Sequence, residues 1–124
     1  MSYRSVFRPD LFAGRNIIVT GGGSGIGRCT AHELASLGAQ VILIGRKDDK
    51  LKKVQAEIQE DGGQAIWFTC DIREEDSVKA TVAEIFKAVG QVHGLVNNAG
   101  GQFPSPLAFI SQKGWETVVR TNLT

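Results

Sequence analysis

Apolar residues follow two rhythms along this chain, and the two alternate. Compact apolar runs occur at Asn16-Ile17-Ile18-Val19-Thr20, Gln40-Val41-Ile42-Leu43-Ile44, Ala65-Ile66-Trp67-Phe68-Thr69 and about residues 93–97. Between them, residues of one kind return every three or four positions. Ile26, Thr30, Leu34 and Leu37 share one predicted helix face; Leu51, Val54 and Ile58 share a second. Val78, Val82, Ile85, Phe86 and Val89 form a third stripe. Runs without alternation read as strands, and the longer spaced stretches as amphipathic helices. The spacing predicts helices over about 25–37, 48–60 and 74–89, and a last one from about Ser111. Gly38 ends the first helix, and Gly62-Gly63 turns the chain into the third strand. A loop with Pro104 and Pro106 precedes the last helix.

Strand and helix in strict succession argue for an α/β fold, a parallel sheet with helices on both faces. Central strands of such a sheet are covered on both sides, which is why Val41 to Ile44 show no polar alternation. Right-handed crossovers then gather the turns that follow the strands at one edge of the sheet. About four strands make the amino-terminal half of a doubly wound sheet. The expectation is therefore the first part of a longer enzyme. Residues 1–14 are a lead-in, and 15–124 a nucleotide-binding domain cut short, with strand four at an edge.

The sharpest local signal sits where the first strand ends, in Thr20-Gly21-Gly22-Gly23-Ser24-Gly25-Ile26-Gly27. A strand that turns through glycines into a helix start brings several backbone N–H groups together. It also aims the positive end of the helix dipole at whatever anion lies there. The expected anion is a dinucleotide pyrophosphate. Gly21 supplies the turn, Gly25 the close approach of backbone to phosphate, and Gly27 the close packing of helix on strand. Gly21, Ser24, Gly25, Ile26 and Gly27 are the candidate cofactor residues of this loop.

Strand two ends in Gly45-Arg46-Lys47. The NAD-binding version of this unit places a carboxylate about 20 residues past the glycines to receive the ribose hydroxyl. Here Arg46 stands there instead, and a guanidinium pairs with a 2′-phosphate. NADP is favoured over NAD; solvated loop charges are the plain alternative. Asp48 and Asp49 fit better as first-turn residues of the next helix. Asp71, after strand three, is placed to accept the adenine amino group while Ile72 packs on the base; its alternative role is to cap the helix near Glu74. Asn97-Asn98-Ala99-Gly100-Gly101 ends strand four on the same edge. Its amides can tie strand ends together and its small residues leave room for a ribose, although an Asn-Gly-type turn fits the spacing equally. Asn122 shares a predicted helix face with Trp115, Val118 and Val119; by spacing alone it reads as a satisfied structural amide, with an amide that holds a water at an active site as the alternative.

Composition narrows the field. A net charge of +1 over 124 residues gives no electrostatic case for nucleic acid or an anionic membrane. No apolar run approaches the roughly 18 residues of a membrane span. The residues before Asn16 lack the apolar core of a secretory signal. Cys29 and Cys70 suggest buried thiols in a reducing compartment, with the cytoplasm as the default location. His32 and His93 have no partners at catalytic or metal-ligand spacing, Phe103 and Trp115 read as packing residues, and no metal is expected.

Together these motifs resemble the short-chain dehydrogenase/reductase family over nearly the whole chain. Thr20-Gly21-x-x-x-Gly25-x-Gly27 has that family's glycine spacing, Asp71-Ile72 resembles its adenine-contacting pair, and Asn97-Asn98-Ala99-Gly100 its Asn-Asn-Ala-Gly signature. The resemblance implies a Rossmann-type fold and hydride transfer between NADP(H) and a carbonyl, alcohol or enoyl thioester. Asn98, Ala99 and Gly100 then join the cofactor site, Arg46 matches the basic residue of NADP-preferring members, and Asn122 becomes the catalytic Asn. Residues 100–106 and 110–115 are similar to the branch containing trans-2-enoyl-CoA and 2,4-dienoyl-CoA reductases. That implies a small-molecule substrate, an acyl-CoA in that branch, and a dimer or tetramer for the full-length parent. His93-Gly94 departs from the Asp and aliphatic residue of many members. The family's catalytic Ser and Tyr-x-x-x-Lys are expected beyond Thr124, since Tyr3 is the only tyrosine and precedes the first strand. The chain alone is then expected to be inactive. The alternative is a non-catalytic nucleotide-binding module or a truncated fragment.

Overall fold

The computed structural model describes residues 4–98. Seven elements follow one another: β1 (Asn16–Thr20), α1 (Gly25–Ser36), β2 (Gln40–Gly45), α2 (Asp48–Glu60), β3 (Gln64–Thr69), α3 (Glu75–Val89) and β4 (Gly94–Val96). All strand pairs are parallel, in the order β3-β2-β1-β4. Ile18 lies between Ile42 on one side and Leu95 on the other, so β1 is interior and β4 is an edge among the described strands.

The strand order dictates which face each helix covers. From β1 to β2 to β3 the chain steps in one direction, and right-handed crossovers put α1 and α2 on a common face. The return from β3 to β4 steps the other way, so α3 lies on the opposite face. Alternation along the strands supplies both layers. Ile17, Val19, Val41, Leu43 and Ala65 meet Ala31 and Ala35 of α1 and Leu51, Val54 and Ile58 of α2. Ile42, Ile44 and Cys70 meet Ile85, with Ile18, Ile66, Phe68, Val78 and Val89 packed around them. Residues Val41 to Ile44 are buried without exception, as a strand covered twice must be. The lead-in is tied down too: Phe12 packs against the first layer, and its N–H donates to the Leu37 carbonyl at 2.8 Å.

Three expectations change. The buried side of α1 is Gly27, Ala31 and Ala35, while Ile26 is 79% exposed. Small residues let this helix lie close to the sheet, which turns Ile26 away from the core toward the rim. On α3, Val82 and Phe86 are 40% and 50% exposed, and Thr81 takes their place beside Ile85. Cys29 is exposed on α1; Cys70 is buried as expected.

Between α1 and α2 the polar contact is ionic. Both Arg28 Nε, at 2.9 Å, and Arg28 Nη2 donate to the Glu57 carboxylate, and His32 Nε2 lies 3.1 Å from Glu57 Oε1. The Arg28 hydrogen bonds hold the Glu57 carboxyl below its ordinary range against a smaller opposing effect of burial, with His32 adding to the lowering. Because the folded pKa is depressed, this contribution is present above the ordinary value of 4.5 and is lost as the pH falls through the lower folded value. Arg28 is 41% exposed, so solvent screens the pair. Glu57→Gln is expected to destabilise the protein by about 0.5–1 kcal/mol near neutral pH. Urea unfolding of the two proteins at a series of pH values should show that difference shrinking below 4.5.

Candidate functional site

The order β3-β2-β1-β4 reverses direction between β1 and β4, and in open α/β sheets a crevice forms at such a point, outside the carboxyl ends of the strands. Residues 20–27 and 96–98 meet there. The loop leaves β1 under the Ile44 carbonyl, which accepts from Gly21 N–H at 2.8 Å and Gly22 N–H at 3.3 Å. Gly21 and Gly25 stand at φ +68° and +58°, a left-handed conformation that side-chain-bearing residues adopt at a cost. Gly27 is required for a different reason. A Cβ built on it would lie 2.1 Å from the Gly21 carbonyl oxygen and 2.5 Å from Asn98 Nδ2.

Asn98 and Thr20 lock the two strand ends together. Asn98 N–H donates to Thr20 Oγ1 at 3.0 Å, Thr20 Oγ1 donates to the Val96 carbonyl at 3.2 Å, and Asn98 Nδ2 donates to the Gly21 carbonyl at 3.3 Å. The amide tie expected at the end of β4 is thus present in Asn98. Thr20 was not singled out from the sequence, although a hydroxyl at the end of an apolar strand, next to a glycine, is the signal that marks it. Below this rim, His93 Nδ1 accepts from Asn16 N–H at 2.9 Å, which gives that histidine a structural task.

The start of α1 differs electrostatically from those of the other described helices. The first N–H groups of any helix lack intrahelical partners. At Ser24 no side-chain cap bond forms, and the first turn of α1 contains no acidic residue. By contrast, α2 carries Asp48 and Asp49 in its first turn and α3 carries Glu75 and Asp76. The one described helix whose dipole is not answered by its own carboxylates is the one that follows the glycine loop.

The β2–β3 side of the rim carries charge. Gly45 pairs with Thr69, and Cys70 N–H donates to the Gly45 carbonyl at 2.8 Å, so Arg46 and Asp71 emerge side by side. Arg46 is exposed. Asp71 does not cap α3, whose N-cap position is Glu74. Instead Asp71 Oδ1 accepts from Arg73 N–H and from Arg73 Nε, both at 3.0 Å, and Oδ2 accepts from Arg73 Nη2 at 3.0 Å. Those hydrogen bonds, with a smaller pull from the Arg46 charge, hold the Asp71 carboxyl down at about 2. Arg73 was also missed from the sequence; its signal is the two-residue spacing of an Asx-turn. Ile72 is half-buried beside Asp71. Of the sequence-derived candidates, Gly21, Ser24, Gly25, Ile26, Gly27 and Asn98 converge at the switch point, and Arg46, Asp71 and Ile72 line the adjoining rim. Ala99, Gly100 and Asn122 lie outside the described residues. Among those residues no cluster of three metal-ligating side chains occurs, and no helix is long and apolar enough to cross a membrane.

Two outcomes follow from this geometry. Gly27→Ala is expected to cost about 3 kcal/mol, because the added methyl group meets backbone and cannot be relieved by a rotamer change; denaturant midpoints measure it. The Asp71 carboxyl should titrate near 2 by carbon-detected NMR and return toward 3.8 in Arg73→Gln. The stabilisation from that pair is present above 3.8 and lost as the pH falls through about 2.

The family model described as short chain dehydrogenase matches residues 15–124. A glucose 1-dehydrogenase of Gluconobacter oxydans is 47% identical over 116 residues, 93% of this chain and 44% of that protein. A probable 2,4-dienoyl-CoA reductase of Bacillus subtilis is 36% identical over 103 residues, covering 83% of this chain and 41% of that protein. The chain thus spans less than half the length of these relatives. Among solved structures, a citronellol catabolism dehydrogenase of Pseudomonas aeruginosa superposes with a TM-score of 0.90 at 67% identity, over 98% of this chain and 49% of that one. A metagenomic short-chain oxidoreductase in complex with NADP gives 0.80 at 38% identity, over 90% of this chain and 51% of that one. With the glycine loop, the parallel sheet and the Asn98 tie in place, the chain belongs to the short-chain dehydrogenase family.

Proposed function

We propose that this chain forms the coenzyme-binding half of an NADP(H)-dependent oxidoreductase acting on a small carbonyl, alcohol or enoyl thioester. The observation that carries the reading is the acid-free start of α1 at the switch point, flanked by Arg46. Backbone N–H groups at Ser24, Gly25, Ile26 and Gly27 face the pyrophosphate, and Gly21 gives the loop its turn. The exposed Ile26 packs on the ribose and nicotinamide side. Arg46 takes the 2′-phosphate, Asp71 and Ile72 take the adenine, and Asn98, followed by Ala99 and Gly100, borders the second ribose. When bound, NADPH supplies a hydride; the protein's part is to hold it in register and to exclude water from the crevice.

Asn122 supports the proton relay in this reading. The Ser and Tyr-x-x-x-Lys set lies in the portion of the family's length that these 124 residues do not span. The probable dienoyl-CoA reductase relative and the residues after Gly100 support an acyl-CoA as substrate. The reading carries with it a cytoplasmic location, with Cys29 and Cys70 as free thiols, and a dimer or tetramer for the full-length parent.

Titration calorimetry tests the coenzyme assignment. NADPH should bind at least about tenfold more tightly than NADH, and Arg46→Asp should erase that preference. Absence of heat with either coenzyme overturns the reading. The 124-residue chain mixed with NADPH and an enoyl-CoA should show no loss of nicotinamide absorbance above background.

A further inference from the structure

Asp71 is not a free carboxylate on the rim. An ionised carboxylate offers about four lone-pair positions. Arg73 occupies three of them: two on Oδ1, through its backbone N–H and Nε, and one on Oδ2, through Nη2, each at 3.0 Å. One acceptor position is left, on Oδ2, and the fork fixes its direction. The same contact changes the local charge. Asp71 and Arg46 emerge from neighbouring strand ends joined by the Cys70-to-Gly45 hydrogen bond, and the two side chains are close enough for the Arg46 charge to act on the Asp71 carboxyl. An uncompensated carboxylate at that point would repel any phosphate that Arg46 attracts. Arg73 cancels it.

We propose that Arg73 is a positioning residue that determines coenzyme specificity: it leaves Asp71 a single aimed acceptor for an exocyclic amino group and neutralises the carboxylate that would otherwise face a 2′-phosphate. This rests on the coenzyme reading above and adds to it a division of labour. Arg46 attracts the phosphate, and Arg73 removes the obstacle to it. The two effects of Arg73 differ in what they need. Aiming requires the planar fork, whereas neutralising requires only a cation.

The intact protein and its Arg73→Gln and Arg73→Lys variants can be compared by calorimetry with three probes. These are NADPH, NADH and the reduced hypoxanthine analogue of NADP, which has a carbonyl where adenine has its amino group. The unaltered protein should prefer NADPH over the hypoxanthine analogue by about tenfold, the weight of one hydrogen bond to a charged acceptor. Arg73→Gln should bring that ratio below about threefold and reduce the NADPH-over-NADH ratio by about tenfold. Arg73→Lys should lose the base discrimination yet keep the phosphate preference within about twofold. A merely structural Arg73 would weaken all three probes alike and leave both ratios intact, which overturns the inference. Unchanged binding in both variants overturns it equally. If the unaltered protein binds none of the probes, the coenzyme reading itself fails, and that result is distinct from a failure confined to Arg73.

Discussion

Helix α1 comes so close to the end of β1 that there is no room for a single carbon between them, and the rest of the site depends on that approach. With hydrogen alone at Gly27, the Gly21 carbonyl and the Asn98 amide occupy the space a side chain would fill. The small residues Ala31 and Ala35 continue the same line of contact down the helix. Close packing does two things together. It buries the face of the sheet on which Val19, Val41 and Leu43 lie, and it holds the helix start over the switch point. Stability and the placement of the helix dipole therefore come from one geometric constraint.

That constraint needs a second support, because β4 is short and lies at the edge of the described sheet. Only three residues of β4 pair with β1, from Ile17–Gly94 to Val19–Val96. The side chains at either end do the rest. His93 accepts from the backbone of Asn16 at one end, and the Thr20–Asn98–Gly21 bonds close the other. Thr20 sits in this arrangement as a buried hydroxyl that both accepts and donates, so its desolvation is compensated. The crevice walls are in this way joined by hydrogen bonds rather than by a long strand ladder.

Charge is sorted by position on the rim. Carboxylates gather at the starts of α2 and α3 and are absent from the start of α1. Where a carboxylate does stand on the rim, at Asp71, an arginine two residues on is wrapped around it. The result is a rim with an unanswered helix dipole and the Arg46 charge on the β1–β2 side and an Arg73-bound carboxylate beyond β3. The glycine loop and the Asn98 tie act through the backbone, whereas the Arg73 fork acts through side-chain charge.

Strand and helix order, the parallel sheet and the glycine loop were readable from residues alone, because apolar periodicity and glycine placement are local consequences of backbone geometry. The positions of Gly27, Asp71 and Asn98 on one edge follow equally from the order of elements and the handedness of crossovers. Which face a helix buries followed for α2, whose Leu51, Val54 and Ile58 are buried, but not for α1 and only in part for α3. Ile26, Val82 and Phe86 have the right spacing for a core stripe, yet all three are exposed, because α1 turns Gly27, Ala31 and Ala35 to the sheet and α3 turns Thr81 and Ile85. Likewise Thr20 and Arg73 gained their parts only through neighbours, one on a strand 76 residues away at the Val96 carbonyl, the other in the turn that folds it back on Asp71. Periodicity along a chain states which residues share a direction; only the packed structure decides what stands in that direction.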